Sequence, residues 1–350
     1  MEDLASLVHQ TADRLAGQTV GAVVAGLADG AVEFHGVGRT GPGGGAPGPR
    51  TLFEIGSVTK VFTSLLLARL ILDDTVRLDE PLADVLGEGA VVPARGGVPI
   101  TLRHLATHTS GLPRLPRGMA VRALLRPNKP DPYAGCTAEA VLAGLARTRL
   151  RAVPGRGFRY SNLGVGLLGL ALARRAGAEY GELVAREVGG PLGLVDTCLR
   201  PAAKQSERLA VGHSASGQPV PYWDLAAIPG MGGLLSTAAD LSILLRAQLS
   251  AEREPDGPLA PAITTTRATR HRVNAFAWAH LGWLGHRLHA QQGGHLQLWH
   301  NGGTGGFASF VAFDPDKQVG VAILANSCRS VDPAGTALLR RLQQDFATAG

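Results

Sequence analysis

Gly56-Ser57-Val58-Thr59-Lys60-Val61-Phe62-Thr63-Ser64-Leu65-Leu66-Leu67-Ala68-Arg69-Leu70-Ile71-Leu72 opens on a flexible residue and continues as an almost unbroken apolar run. The pattern predicts a buried helix from about Ser57 to Leu72. Ser57 then lies in the first turn, with Lys60 three residues on and on the same face. A serine hydroxyl is a weak nucleophile and needs a base beside it. A lysine amine serves if desolvation or a neighbouring cation lowers its pKa. The helix start also offers free N–H groups and partial positive charge to a developing oxyanion. The same residues equally fit a capping serine beside a solvated lysine, so the pair gains meaning only from the rest of the chain.

Outward from this helix, Val20 to Leu27 and Ala31 to Val37 are β-prone segments joined around Asp29-Gly30, a hairpin signal. Near the other end, Phe307 to Phe313 and Gln318 to Asn326 are strand patterns around Asp314-Pro315-Asp316-Lys317. Helical spacing marks residues 4–16, 102–108, 138–147, 162–176, 181–187 and 334–348. Thr237-Ala238-Ala239-Asp240 has the form of a capping box opening a helix to about Gln248. Gly41 to Pro49 reads as a loop, and 113–135, rich in Pro and Arg, as a long surface loop with a short helix inside. Strands thus sit at both ends and helices in the middle. The expected fold is α+β: one antiparallel sheet built from both chain ends and flanked by helices, with an inserted mainly helical lobe. Residues 1–75 and 206–350 would form the discontinuous sheet lobe, and 76–205 the helical one.

The chain has 350 residues, 45% of them hydrophobic and 18% charged, which excludes an extended disordered protein. The apolar run ending at Leu72 is too short to cross a bilayer. The net charge is +6, and only four of the 34 basic residues are lysine. Arg114, Arg117, Arg122, Arg126 and Lys129 form the one local concentration, read first as a solvated loop and second as a border of the site favouring an acidic substrate. No nucleic-acid-reading element accompanies them, so neither nucleic acid nor membrane is an expected partner. Cys136, Cys198 and Cys328 are odd in number and widely spaced, fitting reduced thiols. With the acidic Met1-Glu2-Asp3 start, they point to the cytoplasm.

Two further segments carry chemistry. Tyr160-Ser161-Asn162 precedes a helical run; a phenol near cations shuttles protons, and an amide orients a lysine or a substrate carbonyl. The alternative is a half-buried tyrosine with a helix-capping asparagine. His300-Asn301-Gly302-Gly303 precedes a strand; a glycine there lets a substrate approach the backbone, and the next N–H can complete an oxyanion hole. Other signals weigh less. Gly212-His213-Ser214-Ala215-Ser216 lacks the final glycine of a nucleophile elbow and reads as a loop. His104 and His108 stand one turn apart, with Leu105 where a zinc protease needs glutamate, and read as core or capping residues. Segment 41–48 lacks the lysine of a phosphate loop, and the histidines from His271 to His295 lack ligand spacing. No metal and no cofactor are expected.

In this order the three segments resemble the serine β-lactamase and penicillin-binding-protein-like superfamily, above all its class C β-lactamase-like branch with carboxypeptidase-like, D-aminopeptidase, esterase and acyltransferase relatives. Phe53-Glu54-Ile55-Gly56, His108-Thr109-Ser110-Gly111-Leu112-Pro113, Gly232-Gly233-Leu234 to Asp240, and Asn301 to Phe307 extend the resemblance over nearly the whole chain. It implies that Ser57 is the acylated nucleophile and that Lys60 and Tyr160 share the base role. Asn162, His300 and Gly302 would position the substrate, and the Ser57 and Gly303 amides would form the oxyanion hole. The family's β-lactamases and carboxypeptidases usually have lysine where this chain has His300, so a fixed charge for a substrate carboxylate is replaced by one present only in part at neutral pH. The implied activity is a serine hydrolase acting through an acyl-enzyme on a small ester or amide. An acyltransferase or thioesterase-like enzyme of secondary metabolism, taking an ester, amide or thioester, is the alternative; a catalytically inactive binding module on the same scaffold is the other.

Overall fold

The structure, a computed structural model, describes residues 2–115, 131 and 133–346. Strands β1 (Gly21–Ala28) and β2 (Ala31–Gly38) form the expected hairpin, with Asp29 and Gly30 both at positive φ, 50° and 76°, as a tight two-residue turn requires. The two short strands β3 (Phe53–Glu54) and β4 (Leu235–Ser236) pair with each other beside the main sheet. From the later part of the chain come β5 (Arg270–Arg272), β6 (Ala277–His280), β7 (Leu284–Arg287), β8 (Leu296–Gly303), β9 (Ala308–Asp314) and β10 (Val319–Ala325). The eight-stranded sheet runs β2-β1-β10-β9-β8-β7-β6-β5, antiparallel throughout, so β1 from the start of the chain pairs β10 from its end. This is the α+β sheet expected.

Strands β5 to β8 went unread in the sequence. Their segments mix Arg, His and Gly with apolar residues and lack clean alternation, and β5 is an exposed edge. One consequence is direct: His300 to Gly303 precede β9, as expected, but are themselves the last residues of β8, beyond its pairing with β7.

Helices cover both faces, which is why β1, β9 and β10 are buried along their whole length. Ala22 and Val24 face α1 (Leu4–Leu15) and the C-terminal helix Asp332–Asp345; Val23, Ala25 and Leu27 face the larger core. At the centre of that core lies α2 (Thr59–Leu72), buried from Thr59 to Ala68, as its all-round apolar sequence demands. The described helices between β2 and β5 include α3 (Leu82–Leu86), α4 (Leu102–Ala106), α5 (Ala138–Ala146), α6 (Asn162–Ala176) and α7 (Tyr180–Val184). Then come α8 (Ala238–Ser250) and α9 (Ala260–Ala268), with α10 (Asp332–Asp345) last.

Two local readings are refined. Thr237 caps α8, its Oγ1 accepting from Asp240 N at 3.1 Å, but the Asp240 carboxylate does not close the box. It accepts instead from Thr197 Oγ1 and the amides of Asp196 and Thr197. His104 does take the capping role, closing a box with Thr101 on α4.

Candidate active site

A turn, rather than α2 itself, presents Ser57. Gly56–Val58 forms one 3-10 turn and α2 begins at Thr59. Gly56 adopts φ +49°, and a side chain there would press to 2.7 Å on the Gly303 amide nitrogen. On the facing strand, a side chain at Gly302 would overlap Ile55 O and Ser309 Oγ and come within 3.0 Å of Ser57 N. The two glycines therefore let the end of β8 close against the serine turn. Gly302 was expected to make room for substrate; the room it makes is for the backbone that carries Ser57.

Lys60 is fully buried, 0% exposed. Its Nζ lies 2.7 Å from Ser57 Oγ and donates to Met231 O at 2.5 Å. That carbonyl comes from the turn Pro229–Met231, which seats closely on α6 where Gly169 faces Gly230. Among the described residues no carboxylate pairs with Lys60. Burial, then the nearby Arg114 charge, hold the amine well below the usual lysine range.

Tyr160 approaches the same serine from the helical side, near enough for the Ser57 side chain to pull its phenol's pKa down. Burial pushes that phenol up to about 12, against the opposing pull of Ser57 and Arg114. Lys60 Nζ stands 5.2 Å and the Arg114 guanidinium 5.8 Å from the ring centre. Ser161 caps α6, accepting from Gly164 N at 2.9 Å and donating to Pro113 O at 2.7 Å. Asn162 is therefore not the cap; it is the first helical residue. Its side chain lies beside Tyr133, whose phenol it pulls down, while its Oδ1 is buried and has no partner.

His300 departs from expectation. It is 1% exposed, packed 6.2 Å ring to ring from Tyr160, and does not line the cleft. Its Nδ1 is 2.7 Å from Asn301 O and its Nε2 is buried without a partner. Burial, then the Lys60 charge, push it down to about 3, so it is neutral at physiological pH rather than charged in part. It cannot touch substrate directly; its neighbours Asn301, Gly302 and Gly303 line the cleft instead.

The Gly303 amide is available. Thr304 N donates to Phe307 O at 3.0 Å, so the adjacent Gly303–Ala308 pair is a non-hydrogen-bonded one, and the Gly303 N–H points away from β9. On that other side β7 has already ended, with Leu284 opposite Trp299.

Several contributors were named in the sequence without a role at the site. His108, at φ +58°, lies 4.3 Å ring to ring from Tyr160, and its Nδ1 accepts from Ser161 N at 3.2 Å. It orients the Tyr160–Asn162 segment, and burial holds it well below the usual histidine range. Glu54 is buried, accepting from Thr304 Oγ1 at 2.6 Å and Trp223 N at 2.8 Å. The cleft over Ser57 has a volume of about 680 Å³; Tyr133, Trp223 and Asp332 line it, as does Arg114. The rest of the basic stretch, Arg117, Arg122, Arg126 and Lys129, falls outside the described residues.

Similarity to known proteins runs over the whole of this framework. The β-lactamase family model matches residues 4–345. The chain is 33% identical over 303 residues to the D-alanyl-D-alanine-carboxypeptidase/endopeptidase AmpH of Escherichia coli K12, covering 83% of this chain and 75% of that protein. It is 29% identical to a human putative beta-lactamase-like 1, over 88% of this chain and 60% of that one. Among solved structures, a beta-lactamase/D-alanine carboxypeptidase from Yersinia pestis superposes with TM-score 0.76 at 28% identity, covering 97% of this chain and 99% of that one. With sheet, serine turn and sequence agreeing from one end to the other, the chain belongs to the β-lactamase family and is a serine hydrolase of that kind.

Proposed function

We propose that Ser57 is the nucleophile of an acyl-enzyme route acting on a small ester or amide. The observation that carries this is the buried Lys60 amine, 2.7 Å from Ser57 Oγ, with no carboxylate paired to it among the described residues. A neutral amine has a lone pair for the Ser57 proton, so Oγ can attack the carbonyl carbon as Lys60 becomes the ammonium. The Ser57 and Gly303 amides support the oxyanion. Tyr160, a neutral phenol, acts as relay rather than as tyrosinate base: it donates its proton to the leaving group as the scissile bond breaks and is resupplied by Lys60. Water then attacks the acyl-enzyme, its proton returns through the same groups, and Ser57 Oγ leaves protonated. Asn162, whose Oδ1 lacks a partner, offers a polar group to the substrate.

The neutral, enclosed His300 supports a substrate preference. With no cation on β8, a neutral activated ester should turn over better than a carboxylate-bearing β-lactam. The carboxypeptidase names of two similar proteins make a peptide amide the other class to assay. The test is intact-mass analysis after a neutral fluorophosphonate: one adduct, lost in Ser57→Ala, supports the route, and an unmodified wild type with no ester turnover overturns it.

A further inference from the structure

The two charges that line the cleft among the described residues stand on opposite walls, and neither forms an ion pair with another described residue. On the helical wall, Arg114 is exposed, its guanidinium over the Tyr160 ring at 5.8 Å, its backbone fixed by Leu163 N donating to Arg114 O at 3.1 Å. On the strand wall, Asp332 opens α10 and accepts from Asn301 Nδ2 at 2.6 Å. Among the described residues neither forms an ion pair. Asp131, which sits near the helical wall, has its oxygens engaged by the amides of Tyr133 and Asp224, at 2.8 and 2.7 Å. Residues 116–130 contain no Asp or Glu to pair with Arg114. Asn301, the side chain on β8 best placed to greet a carboxylate, is turned toward Asp332.

We infer that the cleft orients its substrate by charge, with Arg114 binding an anionic group on the helical wall and Asp332 excluding one from the strand wall. A guanidinium held against a ring face and free of acids keeps its donors for an incoming carboxylate or phosphate. A carboxylate beside the end of β8 repels the same group there, so discrimination uses both attraction and repulsion. The inference deepens the hydrolase reading and rests on it for turnover, though the binding it describes does not.

Three matched esters test it: p-nitrophenyl valerate, mono-p-nitrophenyl glutarate with the carboxylate on the acyl chain, and 3-carboxy-4-nitrophenyl valerate with it on the leaving phenol. In wild type one placement should exceed the neutral ester in kcat/KM by about tenfold, the size of one charge-assisted hydrogen bond, and the other should fall below it. Arg114→Gln should remove the first preference, Arg114→Lys should retain its direction, and Asp332→Asn should lift the disfavoured placement. Each variant's ratio to its own neutral-ester rate is the readout. Both placements matching the neutral ester, or an unchanged ratio in Arg114→Gln, overturns the inference. Separately, thermal shift of Ser57→Ala with monomethyl glutarate, against methyl valerate, reads binding without chemistry. Stabilisation by the anion alone, lost when Arg114→Gln is added, upholds the inference even if no ester is turned over; its absence overturns it. Failure of the hydrolase reading would show instead as no fluorophosphonate adduct.

Discussion

Glu54→Gln should change how stability depends on pH. The Glu54 carboxyl is 7% exposed, with Thr304 Oγ1 donating to one oxygen and Trp223 N to the other. Burial raises it from 4.5 to about 7, the two hydrogen bonds opposing and the nearby Asp131 charge adding to the rise. Tyr222 also feels it. The folded state therefore holds this proton more tightly than the unfolded chain does. Below pH 4.5 both states are protonated and nothing is lost; between 4.5 and 7 the unfolded chain ionises first, and stability falls as pH rises. At ~1.4 kcal/mol for each tenfold in proton affinity, the loss approaches ~3 kcal/mol by pH 8. Glutamine keeps the shape, with an acceptor for Trp223 N and an amide that can donate to Thr304 Oγ1, and carries no such charge. The difference in Tm between variant and wild type should thus move in the variant's favour by about 3 °C from pH 5 to pH 8, taking the usual unfolding entropy per residue for a chain of this length. Melting curves at the two pH values measure it. Parallel pH dependence in the two proteins would refute the reasoning.

Ser57→Ala should reduce turnover at least ~1000-fold while leaving the melting temperature close to wild type, as loss of the nucleophile in a covalent route does; activity above ~1% of wild type refutes it. Because His300 is neutral down to about 3, His300→Gln should leave any ionisation seen in kcat/KM between pH 5 and 8 in place, and disappearance of such a limb would show that His300 titrates there. Gly302→Ala should both destabilise the fold and lower turnover, since the added methyl meets Ile55 O and Ser309 Oγ behind the serine turn; a soluble variant with wild-type Tm and rate contradicts the packing. A penicillin hydrolysed with higher kcat/KM than a short-chain p-nitrophenyl ester would reverse the substrate preference drawn from His300.

How far the sequence could be read depended on whether the signal was local. The β1–β2 hairpin, the last hairpin and α2 declare themselves through turn residues and unbroken apolar runs, and each forms as expected. Ser57 and Lys60 are close because one turn of backbone makes them so. Tyr160 meets them from far along the chain, which only its match to a known pattern suggested. Strands β5 to β7 escaped because they are short and their polar residues face solvent at an edge, where alternation carries little apolar contrast. The roles of His108 and Glu54 escaped for another reason: each acts by what packs over it, Tyr160 in one case and Thr304 with Trp223 in the other. Burial of that sort has no signature in residue type. For the same reason the sequence suggests a partly charged His300 where the structure has a neutral, enclosed one.

The neutrality of His300 and that of Lys60 are linked. A second cation beside a buried ammonium raises the cost of both, so Lys60, His108 and His300, enclosed around Tyr160, cannot all hold protons. Burial drives each toward its neutral form, and the charge of Lys60, when present, depresses both histidines further. Arg114 stands outside this competition: it is exposed and lowers Lys60 across the Tyr160 ring. The positive charge beside the site thus comes from the wall opposite β8. Lys60 can remain an unprotonated base without a strand cation, and the cation that helps keep it so is also the one positioned to meet an anionic substrate.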